Sequence, residues 1–367
     1  QVLGKVTGEG NEERLTEAIT RLLELYRDEL KKDKLPIALE QDRFAAALLA
    51  APGKIAVSTD GLRVAISDTL HHRVILTRPD GMIEATFGGP APGFEDGPAR
   101  HVRFNAPQGL AFTRAGLAVA DTGNHAIRLI TLDEGRVSTL AGTGQIGDLR
   151  KGEYDALRLG LRSPWALASQ DSWLYIAMAG NHQIWRLNLL DGKISPYAGS
   201  RLEGIDEGPL AEASFSQPSG LALTGKDLYV ADAEASAIRR IRLTGGTVEN
   251  LVGKGLFEFG DRDGPLDKAL LQHVSDVAVA NPQLLVVADT YNHKIKLIDL
   301  KNKRVSTMVG TGDPGNKLGE PTQTQLNEPG GLAVLDDLVL VADTNNHRIL
   351  VVNRLTRSVS EWALTQR

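Results

Sequence analysis

One phrase recurs six times along this chain and limits what it can fold into. Its fullest copy is Val286-Val287-Ala288-Asp289-Thr290-Tyr291-Asn292-His293-Lys294-Ile295. It returns as Leu340-Val341-Ala342-Asp343-Thr344-Asn345-Asn346-His347-Arg348-Ile349, and in shorter form as Val119-Ala120-Asp121-Thr122-Gly123-Asn124-His125. Variant copies stand at Asp68-Thr69-Leu70-His71-His72-Arg73, at Met178-Ala179-Gly180-Asn181-His182 and at Asp232-Ala233-Glu234-Ala235-Ser236. Counted from the Asp slot (68, 121, 178, 232, 289, 343), the spacings are 53, 57, 54, 57 and 54. A fixed period of this size marks stacked supersecondary units, none of which buries its apolar face alone. Six of them occupy most of the 367 residues and read as one closed domain.

Each unit reads as four short strands, A to D. In the fifth unit these are Ser275 to Val279, Leu284 to Ala288, His293 to Leu300 and Arg304 to Gly310. Short β-rich runs punctuated by Asp80-Gly81, Asp191-Gly192 or Asn281-Pro282 carry strand and turn chemistry. No unit holds a helix-length periodic segment. Four antiparallel strands repeated six times predict an all-β, six-bladed β-propeller. In such a blade the starts of A and C and the ends of B and D share one face. The Asp-Thr and Asn-His pairs, the A-strand openings and the D-to-A connectors therefore meet there. Long connectors on a rigid scaffold are where function concentrates.

The first 34 residues follow a different pattern. Gln1 to Val6 suits a strand, and Asn11 an N-cap followed by Glu12 and Glu13. Leu15, Ala18, Ile19, Leu22, Leu23, Tyr26 and Leu30 fall at helical spacing, with Lys31 and Lys32 at the C-terminal end. Residues 1–34 thus read as the closing strand and helix of a domain, 35–52 as a linker and 53–367 as the propeller.

Composition removes several classes of function. The chain has no cysteine, hence no disulfide, no thiolate nucleophile and no Cys-ligated zinc. No apolar run approaches the roughly 18 residues of a membrane span. A formal net charge of −5 gives no whole-molecule pull on phosphate backbones, so nucleic acid is not an expected partner. The expectation is a cytoplasmic monomer without membrane contact or cofactor.

The repeated Asp-Thr-x-Asn-His-Arg/Lys-Ile phrase resembles the NHL repeat, which implies a six-bladed NHL β-propeller. The odd copy Ile176-Ala177-Met178-Ala179-Gly180-Asn181-His182-Gln183-Ile184-Trp185, with Phe104-Asn105-Ala106-Pro107-Gln108-Gly109 and Asn327-Glu328-Pro329-Gly330-Gly331, is similar to the family typified by NHL repeat-containing protein 2 and its bacterial relatives. There a thioredoxin-like domain precedes the propeller. The resemblance implies that residues 1–34 are the tail of such a domain and that its redox motif lies upstream.

Candidate chemistry falls into three groups. The columns Asp68, Asp121, Asp232, Asp289, Asp343 and His72, His125, His182, His293, His347 are spaced one per blade, not gathered three to an ion as zinc requires. They are expected to be structural, each tying its own B–C turn through side-chain to backbone hydrogen bonds, with no metal. The A-strand openings differ from unit to unit, which a single ligand site needs. Gln108, Arg162, Trp165, Ser219, His273, Asp276 and Glu328 are the candidate ligand-binding residues, with Gln272 and Ser275 beside them; no catalytic residue is assigned. His273 with Asp276 suits a base and its orienter. The acidic connectors Glu95, Asp96, Asp206, Glu207, Asp261 and Asp263 read either as turn material or as a rim that steers basic partners or holds Ca²⁺. The leading expectation is a non-catalytic binding or scaffold propeller that recognises a protein or small ligand on the connector face. The alternatives are a propeller lyase or lactonase working through Arg162, His273 and Asp276, and a thiol-disulfide function in an upstream domain.

Overall fold

A computed structural model describes residues 12–29, 43–148 and 151–366. The chain divides into two compact units, Gln1–Arg43 and Phe44–Arg367. The first holds helix α1, Glu12–Leu25. Its winding tightens at the end, from Tyr26 N–H on Leu22 O to Glu29 N–H on Tyr26 O, so the helix closes before the apolar spacing does. Gln1 to Asn11 and Leu30 to Lys32, read as strand, cap and helix end, lie outside the described residues.

The second unit is a six-bladed propeller. Among the described residues each blade is a sheet whose four main strands are consecutive in the chain. The blades span 52–88, 107–141, 164–198, 218–252, 274–309 and 329–361. Blade 5 shows the pattern: A is Val274–Asn281, B Leu284–Asp289, C Lys294–Asp299 and D Arg304–Val309. The six A strands touch one another in a ring and line the axis. Every B strand is almost fully buried, as in the all-buried run Val64–Asp68, because its two faces pack against neighbouring blades. Six apolar clusters fill the six interfaces.

Four connectors add a fifth short strand to the outer edge of the blade they enter: Gly97–Pro98, Tyr154–Asp155, Gly208–Pro209 and Gly264–Pro265. Gly97, Gly208 and Gly264 take φ of 143°, 124° and 138°, where a Cβ is strained. Blade 1 receives its edge segment from the C-terminal tail. Thr365 donates to Gly81 O and accepts from Ile83 N–H at 3.0 and 2.9 Å. Of residues 44–52, which the sequence placed in a linker, Leu49 joins the core between blades 1 and 6 and Ala50 is fully buried.

Candidate functional site

The repeated phrase forms a fastening between neighbouring blades. Strand B ends at the Asp, a 3₁₀ turn follows, and the His slot sits in the left-handed region at φ 49–56°. Asp68, Asp121, Asp232, Asp289 and Asp343 accept from Ala50, Asn105, Ser216, Gln272 and Asn327 N–H at 2.6–2.7 Å. The second carboxylate oxygen takes a cation, Arg128 (2.8 Å), Arg239 (3.1 Å) or Lys296 (3.2 Å) in blades 2, 4 and 5. In blades 1 and 6 the cation is Arg73 or Arg348, at 2.7 and 2.9 Å. Burial pushes the Asp121, Asp232 and Asp289 carboxyls up to about 6, against these donors.

The histidines reach across to the next blade, which corrects the expectation that they tie their own turns. Nδ1 of His72, His125, His182, His293 and His347 accepts from Ala106, Ser163, Gln217, Glu328 and Ala51 N–H at 2.9–3.2 Å. Ser236 Oγ does the same for His273 at 3.0 Å. All six receiving residues hold positive φ, 45–58°. The left-handed turn swings the His side chain away from its own loop and onto this strained peptide. Four threonines add a second bond: Thr69, Thr122, Thr290 and Thr344 donate to the carbonyls of Pro107, Pro164, Pro329 and Pro52. Asp likewise anchors the start of its blade and, through Oδ2, the Asn side chain of its turn. Blade 3 replaces the ion pair with Met178 and a neutral set, in which Trp185 Nε1 donates to Gln183 Oε1 (3.0 Å) and Gln183 Nε2 to Gly199 O (2.7 Å).

Most candidates at the A-strand openings are occupied by the fold. Asp276 is buried in the channel beside Lys54 of blade 1, Nζ to Oδ1 3.3 Å, and accepts from Leu332 N–H at 2.9 Å. Burial raises its carboxyl and lowers the Lys54 ammonium, each opposed by its partner. The pair and the A strands leave an axial cavity of only about 40 Å³. Ser219 Oγ donates to Val274 O and Ser275 O, and Ser275 Oγ to Pro329 O. The Gln108 side chain sits against Gly53, where a Cβ would lie 2.2 Å from Oε1. Arg162 and Trp165 of blade 3 are half-buried, and the Arg162 charge helps burial hold His125 below the ordinary imidazole range. Gln272 spends its N–H on Asp289.

His273 and Glu328 remain at the open mouth. Asp276 does not orient His273, because three residues along the strand its side chain has turned into the channel and onto Lys54. Instead His273 Nδ1 faces Glu234 Oε1 at 3.5 Å, and the ring stacks on Tyr291 at 4.2 Å and 9°. Burial holds its imidazole below the ordinary range, against the pull of Glu234 and Glu328. Sequence reasoning missed Glu234, Tyr291 and Lys54. The signal lay inside the repeat: the slot after Thr reads Leu70, Gly123, Gly180, Glu234, Tyr291, Asn345, and the third A-strand residue reads Lys54, Gly109, Ala166, Gly220, Asp276, Gly331.

The acidic connectors are engaged internally. Asp96 takes Arg128 and the Thr139 N–H, Glu207 the Asn250 N–H, Asp263 the Thr307 N–H, and Asp261 both Lys294 and Lys296. Asp206 accepts from Ser214, and Glu95 pairs with Arg103. Among the described residues no three His, Cys, Asp or Glu converge on a point where an ion would sit.

Fold and repeat together define the class: this is a six-bladed β-propeller of NHL type, and residues 326–352 match the NHL repeat family profile. The chain is related to NHL repeat-containing protein 2, being 39% identical over 98% of its length to that protein from Gallus gallus and from Homo sapiens. It is 40% identical over 96% of its length to Protein SUPPRESSOR OF QUENCHING 1, chloroplastic, of Arabidopsis thaliana. It spans 54% and 35% of those proteins, respectively. Virginiamycin B lyase from Staphylococcus aureus shares the fold at 15% identity, with a TM-score of 0.50 over 85% of this chain and 84% of that one. No helix among the described residues is long and apolar enough to cross a membrane.

Proposed function

We propose that this propeller is a non-catalytic binding module, and that it takes a cationic group of a protein or small ligand at the blade 4 to 6 half of its mouth. The observation that carries this is the asymmetry of the rim. The six strained residues before strand A are Ala51, Ala106 and Ser163 in blades 1 to 3, but Gln217, His273 and Glu328 in blades 4 to 6. The turn slot changes in step, from Leu70, Gly123 and Gly180 to Glu234, Tyr291 and Asn345. Identical fastening would leave all six alike. The decorated half presents an imidazole stacked on a half-exposed phenol ring, with the Glu234 carboxylate facing the imidazole and Glu328 within electrostatic reach of both rings. Aromatic faces beside carboxylates favour a cation. Titration with N-acetyl-arginine amide, followed by isothermal titration calorimetry, should saturate. Binding should disappear in Glu234→Gln/Glu328→Gln with the melting temperature unchanged. An equal response from that double variant, or none from either protein, would refute the reading.

A second reading is favoured by one contact. A partly exposed imidazole whose pKa burial lowers, facing a carboxylate, is acid–base geometry, and a lyase shares the fold. It requires turnover of a small ester, lactone or hydroxyglycine substrate that vanishes in His273→Ala. Thiol-disulfide activity belongs, in our proposal, to sequence outside this cysteine-free chain in a longer protein. The cytoplasmic and monomeric state is part of the same proposal, and light scattering on the purified chain checks the monomer.

A further inference from the structure

Among the described residues, blades 1 to 5 each carry an extra segment against the outer strand, and blade 6 does not. In blades 2 to 5 a connector N–H donates to the carbonyl at the C–D turn: Ala99 to Gly135, Ala156 to Gly192, Leu210 to Gly246 and Leu266 to Lys303, at 2.9–3.2 Å. In blade 1 that carbonyl, Gly81, accepts from Thr365. The corresponding residue of blade 6 is Arg357, left-handed at φ 60° like Gly135 and Gly246 at 60° and 64°. Among the described residues no N–H donates to its carbonyl. The connector in register supplies Pro321, whose carbonyl accepts from Gly310 just as that of Leu210 accepts from Gly199, and proline has no N–H to give.

Side chains at the same place are also missing. Leu132, Leu189, Leu243 and Leu300 follow strand C in blades 2 to 5 and pack into the core, whereas Arg354 follows it in blade 6. Leu210 and Leu266 wedge into their clefts from the connector; Pro321 is shorter. What remains between blades 5 and 6 is a cleft of about 700 Å³, bounded by Met308, Val352 and Leu355, with Arg354, Arg357 and Glu320 on its walls. An open strand edge beside an apolar cleft is the geometry of β-augmentation.

We infer that this cleft docks an extended segment of a partner polypeptide, which completes blade 6 as its fifth strand. The segment has acidic–Gly–Pro–aliphatic character, for two reasons. The chain's own occupants in blades 4 and 5 are Glu207-Gly208-Pro209-Leu210 and Asp263-Gly264-Pro265-Leu266. The cleft walls also bear Arg357 and Arg354, the latter paired with Asp337, against Glu320. The docked aliphatic residue donates its N–H to Arg357 O and fills the cleft. The site lies at the C–D turns, on the opposite strand ends from the mouth, so it does not depend on the binding reading given above.

The test uses the whole chain and a fluorescein-labelled peptide with the sequence of residues 204–212 (Gly-Ile-Asp-Glu-Gly-Pro-Leu-Ala-Glu). Fluorescence anisotropy should saturate. Leu355→Asp should weaken binding at least about tenfold; Leu355 is 73% exposed, so this change leaves the fold intact. N-methylation of the peptide's leucine amide should do the same by deleting the donor. His273→Ala should leave binding unchanged. No saturation below about 1 mM would overturn the inference, as would binding indifferent to both Leu355→Asp and N-methylation. Concentration-dependent dimerisation of the chain that Leu355→Asp abolishes would assign the cleft to a second copy and equally overturn it.

Discussion

At the scale of single residues, His71 shows how one slot meets one demand with different chemistry. In blades 2, 5 and 6 an Asn amide spends its two hydrogens on the Asp carboxylate and on a connector carbonyl. Asn124 bonds Asp121 and Gly93 O, Asn292 bonds Asp289 and Gly260 O, and Asn346 bonds Asp343 and Gly315 O, all at 2.7–2.8 Å. In blade 1 His71 takes the slot, with Nδ1 on Asp68 Oδ2 at 2.7 Å and Nε2 on Phe44 O at 3.1 Å. Both partners are acceptors, so the ring satisfies both only when each of its nitrogens carries hydrogen. The Asp68 bond accordingly raises its pKa, against burial. A raised folded value gives stability that is complete below the ordinary imidazole pKa and is lost as pH rises through the folded one. We expect the melting temperature of the wild-type chain to fall as pH rises above about 6.5 relative to that of His71→Asn, which carries both hydrogens at every pH. Parallel melting curves for the two proteins from pH 6 to 9 would exclude this role.

At the scale of elements, the fastening between blades has the opposite pH dependence. Each His accepts at Nδ1, so protonation there removes the acceptor. Burial holds His72 and His125 below the ordinary imidazole range. Their stabilisation is therefore present above the unfolded pKa and lost as pH falls through the folded one. Blade 4 already contains the non-titrating version, Ser236. His125→Ser should keep its junction and flatten the acid limb of melting temperature against pH between about 5 and 7. An acid limb unchanged by His125→Ser would mean that this junction does not titrate. The Asp column is under a harsher constraint. Asp289→Ala should cost about 3–5 kcal/mol by removing the one fully buried carboxylate of Lys296, which keeps only the part-exposed Asp261 and Asp263, and by stripping the Asn292 amide and Gln272 N–H of their acceptor, and His293→Ala about 1–3 kcal/mol, both measured by urea unfolding. Equal losses would contradict the different wiring of the two columns.

At the scale of the whole molecule, Lys54 and Asp276 join blades 1 and 5 across the axis. Their slot is Gly or Ala in the other four blades. At Gly109, Gly220 and Gly331 a Cβ would come within 2.2–2.7 Å of the neighbouring strand. Lys54→Ala should therefore cost about 3–5 kcal/mol, because Asp276 stays buried without its cation. Lys54→Met combined with Asp276→Leu should recover most of that loss, as Met178 and Trp185 already stand where other blades carry an ion pair. A double-mutant cycle in urea checks this, and strictly additive losses would show that the two groups are uncoupled.

Blade number, strand order and the face carrying the connectors were legible in the sequence, because they follow from period and alternation, which are properties of neighbours along the chain. The mouth was legible only in part. His273 and Glu328 stood out as departures from the repeat, but Asp276 and Ser219 departed as much and turned out to serve packing. Repetition along a sequence fixes the unit and its count. Which irregular side chains stay free, and which are taken up by another blade far along the chain, depends on closing the ring, since only closure brings Lys54 to Asp276 and His347 to Ala51.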